Sequence, residues 1–116
     1  MTKTYEFGYR LPRFRTDFHF LLHTDAPNPH VVDAQCIDIS EEGVAAQLSE
    51  SMPIGALVYL ILTLPGTSAP MRIPAKVISQ QENDHGLTFR FPSDVERQEV
   101  QKFVSSLQSR TTHQSR

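Results

Sequence analysis

The sequence predicts a mainly β domain: a small antiparallel barrel or sandwich of six short strands, followed by one C-terminal α-helix. Three observations predict it. Six short strand-like segments, five of them alternating apolar with polar residues and one apolar on both faces, follow at roughly ten-residue spacing with turn-forming residues between them. The last segment changes to a stripe at i, i+3, i+4 and i+7, the period of a helix with one buried face. The chain has 116 residues, of which 39% are hydrophobic, enough for one modest core and not for two.

In the first strand Phe18, Phe20 and Leu22 alternate with His19, Leu21 and His23. After the break at Ala26-Pro27-Asn28-Pro29, Val32, Ala34 and Cys36 alternate with Asp33, Gln35 and Ile37. Val44, Ala46 and Leu48 follow Gly43. Beyond Met52-Pro53-Ile54-Gly55, the run from Leu57 to Leu64 is apolar on both faces, which predicts a central strand covered on its outer side. The turn cluster Pro65 to Pro70 leads into Met71, Ile73, Ala75 and Val77, and Pro74 within that strand predicts an edge position or a bulge. Asn83-Asp84-His85-Gly86 reads as a turn before the sixth strand, Leu87, Phe89 and Phe91.

Ser93-Asp94-Val95-Glu96 fits a capping box, with the Ser93 hydroxyl on the Glu96 amide and the Glu96 carboxylate reaching back. The stripe Val100, Phe103, Val104 and Leu107 is then expected to cover the outer face of the Leu57–Leu64 strand. Arg110 to Arg116 is polar and aperiodic and is expected as a disordered tail. The chain divides accordingly into an arginine-bearing arm (1–16), a barrel with its helix (17–109) and a tail (110–116).

Composition narrows the function. The longest apolar run, Ala56 to Leu62, is far too short to cross a bilayer, and the N-terminus lacks the apolar core of a signal peptide. A cytoplasmic protein is expected. The single Cys36 excludes an internal disulfide and falls on an inward strand position, as a small core residue would. His19 and His23 share the outward face of a strand about 13 Å apart, too far for one metal ion. The five glycines stand singly at 8, 43, 55, 66 and 86, so no glycine-rich phosphate loop is present. No nucleophile–base pair supports an enzyme.

The net charge of −2 hides an uneven distribution. Lys3, Arg10, Arg13 and Arg15 face only Glu6 in the first fifteen residues, whereas Thr16 to Met71 holds seven acidic residues and no Lys or Arg. Two segments stand out. Arg10-Leu11-Pro12-Arg13-Phe14-Arg15 puts three guanidiniums just before the first strand, and guanidinium binds phosphate bidentately and stacks on purines. Asp38-Ile39-Ser40-Glu41-Glu42-Gly43 runs from a strand end into a turn, with an acceptor and a hydroxyl two residues apart and a glycine for the reversal.

Together, in this order, the two segments resemble the PilZ domain family, and the late Gly86-Leu87-Thr88-Phe89-Arg90-Phe91 strand and the C-terminal helix extend the likeness over almost the whole chain. The resemblance implies a six-stranded antiparallel β-barrel with a helix across one opening. It also implies a non-catalytic bacterial receptor for cyclic di-GMP, without cofactor or metal. Such a receptor acts on a downstream protein of motility, exopolysaccharide or virulence machinery, and not on a nucleic-acid polymer. Family members hold the ligand between an Arg-x-x-x-Arg segment and an Asp/Asn-x-Ser-x-x-Gly segment. The second is intact at Asp38, Ser40 and Gly43. The first departs from the spacing: with Arg13 as its second arginine, the other position falls on Tyr9, one before Arg10, and with Arg15 it falls on Leu11.

The resemblance thus assigns phosphate and guanine contacts to Arg10 and Arg13, with Arg15 in reserve. It assigns guanine N–H acceptance to Asp38, a bond to the ligand's polar edge to Ser40, and an open turn to Gly43. The arm, with Gly8 as hinge, is expected to order around the ligand. Two alternatives stand beside this reading: a PilZ-like adaptor that works by protein contact alone, and a small β-barrel nucleic-acid binder, which the acidic body argues against.

Overall fold

The computed structural model describes residues 12–25, 28–67 and 69–114, with side chains up to residue 108. Arg10 and the Gly8 hinge lie outside the described residues. Seven strands and one helix follow in chain order: β1 (Phe14–Arg15), β2 (His19–Thr24), β3 (Val31–Ile39), β4 (Gly43–Leu48), β5 (Leu57–Leu62), β6 (Met71–Gln81), β7 (Asp84–Phe89) and α1 (Asp94–Gln114). The sheet order is β1-β3-β2-β5-β6-β7-β4, and a β3–β4 pairing joins its ends. Six strands therefore close into an antiparallel barrel, and the two-residue β1 lies on β3 as a flap. Closure leaves no free strand edge between β3 and β4.

The even-numbered residues of β5 and the odd-numbered residues of β6 from Ile73 to Val77 point inward, with Leu60, Leu62, Ile73 and Val77 fully buried. The stripe of α1 joins the same core: Val100, Phe103, Val104 and Leu107 are buried, and the Phe103 ring meets Phe18 edge-on at 6.1 Å. Phe14 and Phe18 also pack on this cluster, so α1 seals the mouth of the barrel beside β1. It does not cover the outer face of β5, as expected from the two-sided apolar run. There the Arg72 guanidinium lies 3.7 Å above the Tyr59 ring, and Leu57 stays 63% exposed. A cation over an aromatic face screens it at little cost.

Three further local expectations change. β6 runs between β5 and β7, so Pro74 is neither at an edge nor at a bulge. Its carbonyl accepts the Arg90 N–H at 2.8 Å, and the β6–β7 ladder begins next door at Ala75 opposite Phe89, so the missing proline N–H falls where that ladder stops. The turn expected at 83–86 is shorter and earlier, at Glu82-Asn83, and Asp84, His85 and Gly86 belong to β7. Glu82 takes the left-handed conformation, φ 58°, and the Leu48 N–H bonds the Asn83 carbonyl at 2.9 Å, which carries the pairing past the turn. Finally, α1 runs on to Gln114, into the expected tail, because nothing from residue 110 to 114 is Pro or Gly. At its start the Ser93 Oγ accepts from the Val95 N–H at 3.3 Å, one residue short of the expected Glu96 amide, and its hydroxyl donates to Glu96 Oε1 at 2.6 Å. That bond, from Ser93, holds the Glu96 carboxyl below its ordinary range.

Candidate functional site: the Arg13–Asp38 rim

On β3 the alternation places Val32, Ala34 and Cys36 inside, and an unbroken strand would turn Asp38 into the core as well. A β-bulge prevents this. Cys36 pairs with Ala46, but Asp38 pairs with Ala45, so Ile37 is an extra residue and the parity reverses after it. Asp38 then faces outward and Ile39 is buried. The flap β1 pairs on the reversed segment, Phe14 opposite Ile39 and Arg15 opposite Asp38, and the Thr16 N–H bonds the Ile37 carbonyl at 3.1 Å.

This pairing brings the two motif segments together. Arg13 Nε and Nη2 both donate to Asp38 Oδ1, at 2.9 and 2.6 Å. The Arg13 side chain is 40% exposed, so the pair contributes only ~0–1 kcal/mol to stability. Its consequence is geometric: it holds a guanidinium over the outer wall of the barrel, with donors left for an anion. Arg15 is exposed beside it.

Ser40 and Gly43 occupy other roles. Ser40 is buried, its Oγ accepts the Glu42 N–H at 3.1 Å, and its own N–H bonds the Gly43 carbonyl at 2.9 Å. The hydroxyl thus builds the β3–β4 turn and does not face outward to a ligand's polar edge. Gly43 needs no positive φ, since among the described residues only Glu82, Gly55 and Gly66 have one. A Cβ on Gly43 would lie 2.1 Å from the Leu87 carbonyl oxygen, so glycine is required there by the close approach of β4 to β7.

Two hollows flank the rim. One of about 470 Å³ lies outside β3, β4, β7 and β6 and is lined by Arg13, Ile37, Ala45, Ile78, Asp84 and Gly86 among others. A larger one, about 840 Å³, lies between Glu41, Glu42, Thr88, Phe91 and Arg97, with Arg97 5.0 Å above the Phe91 ring. Both reach Ile78, which β6 itself extrudes: Val77 pairs with Leu87 and Ser79 with Gly86, leaving Ile78 as a second bulge.

Cys36 is buried as expected, and burial pushes its thiol up to about 12, leaving it protonated and unreactive at neutral pH. His85, expected in a turn, is buried on the inward face of β7. Its Nδ1 lies 2.8 Å from the Asn83 carbonyl and its Nε2 accepts the Met52 N–H at 2.9 Å, which assigns the hydrogen to Nδ1. An isolated histidine among turn-forming residues carries no local sign of this role. His19 pairs with Asp33 at 3.3 Å, and among the described residues no three His, Cys, Asp or Glu side chains gather as a metal site.

The model of the PilZ domain matches residues 10–107 of this chain. Solved structures of the same shape include the PilZ domain of CeSA from a cellulose-synthesizing bacterium, at 17% identity and TM-score 0.66, covering 84% of this chain and 98% of that one. The PilZ domain of YcgR from Escherichia coli, solved with c-di-GMP, shares 15% identity at TM-score 0.65 over 91% of this chain and 95% of its own. The MrkH–c-di-GMP complex of K. pneumonia reaches 20% identity and TM-score 0.67 over 90% of this chain, which spans 54% of MrkH. Comparison with curated proteins gives no match. Among the described residues no helix is long and apolar enough to cross a membrane.

Proposed function

This chain belongs to the PilZ domain family, and from that premise we propose that it is a non-catalytic receptor for cyclic di-GMP. The observation that carries the reading is the Arg13–Asp38 ion pair, which joins two segments 25 residues apart on one rim of the barrel. A cyclic dinucleotide presents two phosphates and two guanines. Arg13, with Arg15 and Arg10 beside it in sequence, supplies charge-assisted donors for the phosphates. Asp38 holds Arg13 in place and offers its second carboxylate oxygen, Oδ2, to guanine N–H groups. Ser40 and Gly43 act indirectly, by shaping the turn that presents Asp38. The likeness to PilZ domains solved with c-di-GMP supports the same ligand. Because that second messenger is intracellular, the receptor works in the cytoplasm, passing the signal to a protein of motility, exopolysaccharide or virulence machinery.

Calorimetric titration with cyclic di-GMP at physiological salt tests the reading. Wild type binds, and Arg13→Ala loses one charge-assisted contact, about 1.5–3 kcal/mol, or roughly ten- to a hundredfold in affinity. Arg10→Ala loses less, because Arg10 sits one position off the family spacing. Asp38→Ala weakens binding if guanine is read specifically and strengthens it if charge alone holds the ligand. Silence of the wild type replaces the receptor with an adaptor that works by protein contact, and tighter binding by Asp38→Ala overturns the specific reading of guanine.

A further inference from the structure

The outer face of β3, β2, β5 and β6 carries two rows of side chains that cross these strands in register. One row runs Asp33, Leu21, Ile61, Arg72. The other, one pleat along, runs Val31, His23, Tyr59, Pro74. The first row has an acid at one end, a base at the other and two aliphatic side chains between them. Reversed, it is the same row with its charges exchanged. Both charges lean toward the centre of the wall: Asp33 Oδ1 lies 3.3 Å from His19 Nε2 on β2, and the Arg72 guanidinium lies over the Tyr59 ring on β5. Among the described residues no carboxylate pairs with Arg72, so its N–H donors face water. Leu21, Tyr59 and Ile61 are half-buried and Val31 is 56% exposed, whereas a sheet face that meets only water is polar.

We propose that this wall is an interface between two copies of the chain, related by a two-fold axis that runs along the strands between β2 and β5. Such an axis exchanges the two ends of each row. Asp33 of each copy then meets the partner's Arg72, and Leu21 meets the partner's Ile61. In the second row His23 meets the partner's Tyr59. A two-fold interface needs a surface complementary to itself, which a row of one charge is not. The axis keeps the strands of the two walls aligned, the usual way for sheets to pack face to face. Arg72 can donate to the carboxylate while it stays on Tyr59, because a guanidinium stacks through its face and bonds through its edge. An anionic lipid surface fits less well, since it would meet Asp33 at one end of the row. The face is small, so the association is reversible and depends on concentration. The Arg13–Asp38 rim lies at the other end of β3, outside both rows, and stays open in the dimer.

Sedimentation equilibrium of the full chain, without ligand, tests the interface. Between about 10 and about 500 µM, where small reversible interfaces associate, the average mass should rise from one chain toward two. Asp33→Arg and Arg72→Asp each set like charges against each other at both ends of the row, and each should weaken self-association about tenfold or more. Both positions are exposed, so both variants keep the fold. Mixed in equal amounts, the two variants restore opposite charges at both ends and should associate more strongly than either does alone. Ile78→Ala, exposed on the other wall, should associate as wild type. A wild type that stays monomeric over the whole range overturns the proposal. Unchanged association in both charge variants, or a loss in Ile78→Ala as large as theirs, moves any dimer to another surface and overturns it too. A mixture no stronger than its components overturns the two-fold arrangement.

Discussion

The two halves of the barrel wall are built by different rules. From Leu57 opposite Lys76 to Leu62 opposite Met71, β5 and β6 pair without a shift, and β2 joins β5 as regularly. Their outer face carries half-buried Leu21, Tyr59 and Ile61. Across β3, β4, β7 and the far half of β6, the ladder is interrupted twice, at Ile37 and at Ile78. That half carries the ion pair and the hollow. Regular pairing produces a wall that fills itself with side chains, while each bulge re-aims a residue and opens the surface.

The largest expected effect ignores the distinction. Phe103 lies under the barrel mouth, where both halves meet α1, and Phe103→Ala should cost about 3–5 kcal/mol in a chemical melt. A loss under 0.5 kcal/mol contradicts the seal. Gly43→Ala drives a Cβ against the backbone oxygen of Leu87 and should cost about 3 kcal/mol, because strand backbone must move. Gly86→Ala meets the Ser79 hydroxyl at 2.5 Å, a side chain that can rotate away, and should stay within about 1 kcal/mol of wild type. Similar losses at both sites contradict the contrast between a backbone oxygen that cannot move aside and a side chain that can.

The smallest effect concerns pH. At the start of β3, His30 Nδ1 lies 2.7 Å from the Asn28 carbonyl and Nε2 lies 2.7 Å from Glu50 Oε2. Two acceptors ask both ring nitrogens to donate, and the bonds to Asn28 and then Glu50 raise the His30 pKa above 6.5. The fold therefore favours the charged ring. Its stabilisation is complete below about pH 6.5 and is lost as pH rises through the higher folded value. Urea midpoints should fall slightly across that window, and Glu50→Gln should flatten the fall. An unchanged profile in the variant removes Glu50 from the account, and an unchanged profile in His30→Gln assigns the pH dependence to another group.

Much of the fold was legible in the residues themselves. The six strand segments became the six barrel strands, and the stripe at Val100, Phe103, Val104 and Leu107 became the buried face of α1. Of the candidate site, Arg13 and Asp38 were legible as types and spacing, and the structure brings them within 2.6 Å. Ser40 was legible as a motif residue, but its burial was not. The helix was sent to the wrong surface because an amphipathic stripe states that it must be covered and does not state by what.

The sequence by itself determined which residues are strand, helix, core and charge, because alternation, period and capping act over a few neighbouring positions. Only the tertiary structure decided where those residues meet. Whether Asp38 faces the core or the solvent depends on one skipped residue against β4, and the need for glycine at 43 depends on Leu87 in a strand reached only on barrel closure. The Met52 amide that meets His85 lies 33 residues away. Such contacts arise from register between strands distant in the chain, and no local pattern encodes a register that closure itself imposes.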